Sequence, residues 1–144
     1  MVVHLQKLSV GSESIDTLAA WQKTMVARRV KAGKPPFHEH VTRMTPKRRD
    51  EILAGGSIYW VIKGMIQCRN KIIDLEEVRT KDGRKACAII MEPGPIPVVP
   101  VPKRPFQGWR YFKAEDVPAD LADATGGAEL PPELRTKLVN LGAW

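Results

Sequence analysis

Residues 104–112, RPFQGWRYF, hold four of the nine aromatic residues of a 144-residue chain, together with Arg104, Gln107 and Arg110. On a strand, alternation places Phe106, Gly108, Arg110 and Phe112 on one face and Gln107, Trp109 and Tyr111 on the other. One set of rings is then expected in the core. The other, with Trp109 to stack a base, Gln107 to bond its edge and Arg104 near by, forms a platform for a flat, negatively charged ligand. Packing alone accounts for half of the rings, so a plain packed strand stands beside this reading.

Three further stretches carry chemistry. In TPKRR, residues 45–49, Lys47, Arg48 and Arg49 fall in the first turn of a helix for which Thr45 is the expected N-cap and Pro46 the first residue. Cations there oppose the helix dipole, whereas an anion seated on the free N–H groups near Pro46 reverses that argument. The alternative is neutralisation by Asp50, Glu51 or the acidic tail. In FHEHVTR, residues 37–43, His38 and His40 share one face of an extended segment, a geometry that binds metal or passes protons. A third ligand would have to come from His4 or a distant Asp or Glu, so no metal is assigned. The bland reading is a pair of polar residues near the basic patch, where a phosphate also accepts from them. In SIYWVIKG, residues 57–64, Tyr59 and Val61 face one side and Trp60 and Ile62 the other. Both faces are apolar, as in a central strand, and Lys63 beside Gly64 is placed to point a charge into a cleft.

Charge favours a polyanion as partner. Residues 1–113 hold 21 Lys/Arg against 10 Asp/Glu, a net of +11, while residues 114–144 hold 2 against 6, a net of −4. From Lys23 to Arg49 there are nine basic residues and, before Asp50, one acid, Glu39. Such a field attracts nucleic acid and speeds its encounter. The candidate contacts are Arg28, Arg29, Arg43, Lys47, Arg48, Arg49, Lys63, Arg104, Gln107, Trp109 and Arg110. A basic face kept for solubility is the competing explanation.

The elements that must position these residues follow from periodicity. An opening strand, VVHLQKLSV, leads to an amphipathic helix with Ile15, Leu18, Ala19, Met25 and Val26 on its apolar stripe and Trp21 at the edge of that stripe. Ser12 or Ser14 caps it, and Gly33 with Pro35 and Pro36 ends it. The short helix after Pro46 stops at Gly55 or Gly56. SIYWVIKG and MIQCRNKIIDLEEV are strands meeting at Gly64 in a hairpin or a bent strand, and the Asp82-Gly83 turn pairs the second with ACAIIME antiparallel. PGPIPVVPVPKRP has six prolines and is expected at an edge or as a strap. GWRYF resumes the sheet. An acidic loop and a short helix with Leu134, Leu138 and Leu141 at helical spacing close the chain over residues 122–144, packed on the single domain of residues 1–121.

Composition closes off other classes. At 43% hydrophobic and 27% charged residues the chain is that of a globular domain. Its longest apolar runs are about six residues, against the eighteen or more of a membrane helix. The opening MVVHLQKLSVG meets Gln6 and Lys7 too early for a secretory signal, so a cytoplasmic protein is expected, without membrane contact. Cys68 and Cys87 lack CxxC spacing and are expected as buried free thiols. There is no P-loop, GxSxG or HExxH, and no cofactor is expected.

HVTRMTPKRRDEILAGGSIYWVIKG together with RPFQGWRY resembles a family of small bacterial proteins, domain of unknown function number fourteen eighty-nine, from VHLQKL to about Leu121. More remotely, the order strand, helix, Thr-Pro helix, Gly-Gly turn and β-rich half is similar to the PUA-like superfamily, which includes the ASCH and EVE domains. That resemblance implies a small mixed β pseudo-barrel with flanking helices and, for many members, RNA or modified bases bound in a cleft beside the barrel. The ASCH signature Gly-x-Lys-x-x-Glu-x-Arg is absent, so none of its residues is carried over. The expected fold class is α+β, and the expected function is a nucleic-acid-binding module, for RNA. The alternatives are an enzyme acting on a nucleotide or phosphorylated substrate, with His38, His40 and Lys63 near the chemistry, or a protein-interaction module using the proline strap or the acidic tail.

Overall fold

The computed structural model of the protein describes residues 2–124; the greater part of the expected acidic loop and terminal helix, residues 125–144, lies outside them. The chain runs β1 (Val3–Leu8), α1 (Ile15–Lys31), β2 (His38–Thr42), α2 (Arg49–Leu53), β3 (Ser57–Ile62), β4 (Met65–Arg79), β5 (Lys85–Met91), β6 (Ile96–Pro102), β7 (Trp109–Lys113) and α3 (Leu121–Ala124). The fold is α+β, as expected, with one seven-stranded sheet in the order β2-β5-β4-β3-β1-β7 and β6 beside β4. The sheet is mixed, because β1 and β3 run parallel while the other pairs are antiparallel. It does not close into a barrel.

β3 is the axis of the domain. All six of its residues are buried, and alternation sends Trp60 and Ile62 to one core and Tyr59 and Val61 to another. The first core lies under the helices, where Leu18 of α1 and Ile52 of α2 meet Val3, Leu5, Ile89 and Met91. The second is closed by Val98 of β6 and Phe112 of β7, with Phe106 and Val117 packed on it. β4 is fifteen residues long because it serves two partners. Its start lies between β3 and β6, and register shifts near Ile66 and Ile72 bend it toward β5.

Turn chemistry explains the joins. Lys63 and Gly64 both have positive φ, +50° and +76°, so β3 and β4 form a tight two-residue hairpin and not one bent strand. Asp82-Gly83 turns β4 into antiparallel β5. At Gly56 a Cβ would stand 2.4 Å from the Val3 carbonyl oxygen and 2.6 Å from that of Ile52, so only glycine lets α2 end against β1. The proline run is an edge strand, as its missing donors require: β6 pairs with β4, and on its far side Val99 N–H donates to the Ala119 carbonyl at 2.9 Å. Arg69 fastens that segment with a bidentate pair to Asp120, both contacts 2.8 Å.

Two expectations are corrected. α1 is capped by Ser14, whose hydroxyl accepts from Thr17 N–H, but its buried positions are Leu18 and Gln22. The middle of α1 faces Asn70 and the backbone of residues 92–94, polar groups that need partners, so the Gln22 amide is buried there and not only the apolar stripe. Trp21, expected to pack at the edge of the stripe, is 49% exposed. The second correction is the start of α2, which is Arg49 and not Pro46, with Arg48 at the N-cap position making no side-chain capping bond. Pro46 is buried in the preceding loop.

Candidate functional site

β2 is an edge strand that pairs with β5 through His38↔Met91 and His40↔Ile89. The two-residue repeat therefore turns both imidazoles to the same side, toward the core under α1. There they line a cavity of about 90 Å³ between β1, α1 and β2. Leu18 and Trp60 form its apolar wall; Lys7, Ser9 and Ser12 join the histidines as its polar groups. Among the described residues no acid lines it. Trp21, half exposed, stands at the rim, with the Arg28 guanidinium 5.9 Å from its ring centroid.

The electrostatics follow from burial. Burial lowers the His38 pKa to about 4. His40 is lowered to about 4 by burial first, then by the charge of Lys7 and by His38. Burial also pulls the Lys7 ammonium below its ordinary value. At neutral pH both rings are uncharged, so each offers one N–H donor and one acceptor nitrogen. His38 Nδ1 and His40 Nε2 are buried and have no hydrogen-bond partner among the described residues. The His40 ring meets Trp60 edge-on at 5.3 Å, which orients it.

Lys7 was not among the residues selected from the sequence, although a signal existed. It has the same strand parity as Val3 and Leu5, so a charge falls on the apolar face of β1. Its register partners are Trp60 on β3 and Trp109 on β7, which places it between two indoles on one face of the sheet. Lys63, the lysine expected in a cleft, is exposed at the tip of the β3–β4 hairpin and does not line the cavity. His4 does not join the other histidines. Its Nδ1 accepts from Ser57 N–H at 2.9 Å, and its ring packs edge-on against Tyr59. Among the described residues no three His, Cys, Asp or Glu side chains are grouped to hold a metal.

The aromatic stretch divides as its alternation requires. Phe106 and Phe112 belong to the second core, and Trp109 and Tyr111 pack against the first, 4.8 Å apart and edge to face. Trp109 Nε1–H donates to the Met44 carbonyl at 2.6 Å. The Tyr111 hydroxyl oxygen accepts from the backbone N–H of Lys47 at 2.8 Å and of Arg48 at 3.3 Å. This corrects the anion seat expected near Pro46: the N–H groups that would have received the anion are held by Tyr111. Arg110 lies 4.6 Å from the Phe106 centroid, while Arg104 and Gln107 are exposed. Tyr111→Phe should release both N–H groups and lower stability by about 1 kcal/mol; urea unfolding measures it, and an unchanged midpoint would show that the tie contributes nothing.

The cations are divided between paired and unpaired. Arg29 pairs with Glu39 at 3.0 Å, Arg48 with Glu51, and Arg49 with Asp74 at 2.7 Å. Arg49 also donates to the Leu75 carbonyl. Lys23, Arg28, Lys31, Lys34, Arg43 and Lys47 form no ion pair among the described residues, and all are exposed. Four of these six lie on α1 or just beyond it, on the element that carries Trp21. Both cysteines are buried free thiols, as expected, and burial pushes Cys68 up to about 12. Among the described residues no helix is long and apolar enough to cross a membrane.

Compared with known proteins, residues 5–144 match the model of one family, described as Protein of unknown function (DUF1489). No curated protein and no solved structure matches the chain.

Proposed function

The chain belongs to the DUF1489 family, of unknown function, and from its own residues we propose that it is a nucleic-acid-binding module for single-stranded RNA. The observation that carries this reading is Trp21, a large ring left 49% exposed beside a polar cavity, with Arg28 against it and unpaired cations along the same helix. A base stacks on such a ring irrespective of its identity, and the cations of α1 meet the phosphates on either side. Net charge supports the reading, since the +11 of residues 1–113 is concentrated where the unpaired side chains lie. The likeness to PUA-like domains, many of which bind RNA beside a barrel, points the same way. Arg43 and Lys47 extend the surface beyond β2; Arg29, Arg48 and Arg49 are already satisfied by acids and contribute less. Trp109, Gln107 and Arg104 belong to the same proposal as a second contact, while Arg110, over Phe106 on the opposite face of β7, contributes less.

Binding of a short unstructured RNA should weaken linearly with salt on logarithmic axes. Replacing Arg28 and Lys31 together by alanine should reduce that slope by about 1.4, at about 0.7 per phosphate contact on a single strand. Trp21→Ala should weaken binding by about 1 to 3 kcal/mol without lowering the unfolding midpoint, because the ring is half in water. Absence of binding at low salt up to about 100 micromolar, where non-specific binders already register, would sink the proposal.

A further inference from the structure

The cavity under Trp21 has a polarity and size that a bare stacking platform does not need. Lys7, Ser9, Ser12 and two uncharged imidazoles line it, no acid among the described residues does, and one nitrogen of each ring is buried without a hydrogen-bond partner among the described residues. Buried polar atoms are rarely left so, since a donor or acceptor kept from water without a partner is destabilising. At about 90 Å³ the space is well below the roughly 150 Å³ of a cavity that takes up a benzene ring. A base therefore stays outside on Trp21, and what enters is a compact group that accepts hydrogen bonds and carries negative charge.

We propose that this cavity receives a phosphate monoester, the terminal phosphate of an RNA strand, with Lys7, Ser9, Ser12, His38 and His40 around it and the terminal base on Trp21. The inference rests on the RNA reading above and narrows it from a strand to the end of a strand. Lys7 supplies the charge, and the histidines supply donors whose direction is fixed by β2 and by the Trp60 ring. A cation is the wrong occupant, because Lys7 already stands beside His40. Phosphate also changes the proton balance. A dianion beside two neutral imidazoles favours protonation of one of them, so binding takes up a proton. The other groups facing these rings do not alter the sign: among the described residues Lys7 from β1 is the one charge, α1 and β3 contribute Leu18, Trp21 and Trp60, and the β5 partners are Ile89 and Met91.

The test measures, by Trp fluorescence, binding of one short RNA with a 5′-phosphate, a 3′-phosphate or hydroxyls at both ends, and of a free nucleoside monophosphate. One phosphorylated end should bind about tenfold to a hundredfold more tightly than the hydroxyl form, the size of one charged hydrogen bond. That preference should grow by up to about tenfold per unit as pH falls from 8 to 6.5. Lys7→Met, which keeps the alkyl stem, should abolish the preference, and His40→Asn should abolish its pH dependence; if Lys7→Met fails to fold, His40→Asn and the pH profile decide. Equal affinity for all RNA ends overturns the inference and leaves the RNA reading intact. A free monophosphate bound as tightly as the RNA keeps the phosphate receptor and overturns the RNA reading. Binding of neither RNA nor monophosphate overturns both.

Discussion

Asn70→Leu is expected to destabilise the protein by about 3 to 5 kcal/mol, measured by urea unfolding at neutral pH. Asn70 and Gln22 are buried at 1% and 0% exposure and exchange two hydrogen bonds, 2.9 Å and 3.0 Å, between β4 and α1. Asn70 Oδ1 also accepts from Trp60 Nε1 at 2.9 Å, and its Nδ2 donates to the Glu92 carbonyl at 2.9 Å. Gly94 N–H donates to Gln22 Oε1 at 3.0 Å. Leucine keeps the branched shape but leaves the indole N–H, the Glu92 carbonyl and the Gln22 amide facing an apolar side chain, at about 1 to 3 kcal/mol for each group left unsatisfied. The double variant Gln22→Leu with Asn70→Leu should cost clearly less than the two single losses added, since removal of both amides relieves the mutual orphaning. A loss under about 1 kcal/mol for Asn70→Leu, typical of an exposed site, would show that this network does not join helix to sheet.

Acidification from pH 7.5 to 5 should destabilise the protein through His38 and His40. Their folded pKa values, about 4, lie below the ordinary 6.5. Between those values the unfolded chain binds more protons than the folded one, so stability is complete above about 6.5 and falls as the pH drops toward 4. After allowance for solvent screening, each ring contributes on the order of 2 kcal/mol by the end of that range. Urea midpoints at intervals across it, for the native chain and for His38→Gln with His40→Gln, separate this from carboxylate titration, which lies lower. His4, lowered by burial and then by Arg69, acts in the same direction and should leave a residual slope in the double variant. A double variant with the full acid dependence of the native chain would contradict the burial of neutral rings. A phosphate in the cavity, by favouring protonation of one of these rings, opposes the trend, so saturating monophosphate should lessen the acid loss.

Much of the site's frame was legible because it is local. Ser14 as a cap, the Asp82-Gly83 turn, the prolines of β6 and the two-faced burial of β3 depend on residues within a few positions of one another. The face shared by His38 and His40, and the division of Phe106 and Phe112 from Trp109 and Tyr111, follow from strand alternation alone. The start of α2 was misread because Thr-Pro resembles a helix entry, while in the fold Tyr111 holds that stretch in an irregular loop. Gln22 lacked a signal: a glutamine near an apolar stripe reads as solvent-facing until Asn70 of β4 is brought beneath it.

What the sequence by itself determined is the inventory: a basic body, an α+β order of elements, an edge strand made by prolines, and two histidines on one face. Local sterics and side-chain periodicity decide such matters without reference to distant parts of the chain. Tertiary structure alone decided which cations are neutralised, since Arg49 meets Asp74 and Arg29 meets Glu39 only after the sheet forms and α1 docks on it. It also decided that Lys7 stands between Trp60 and Trp109, because residues 3–8 are inserted between strands that follow them by about fifty and a hundred positions. A cavity exists only where three such segments fail to fill the space between them. Register and packing therefore set its place, beneath Trp21 and beside two imidazoles, with no counterpart in any one stretch of the chain.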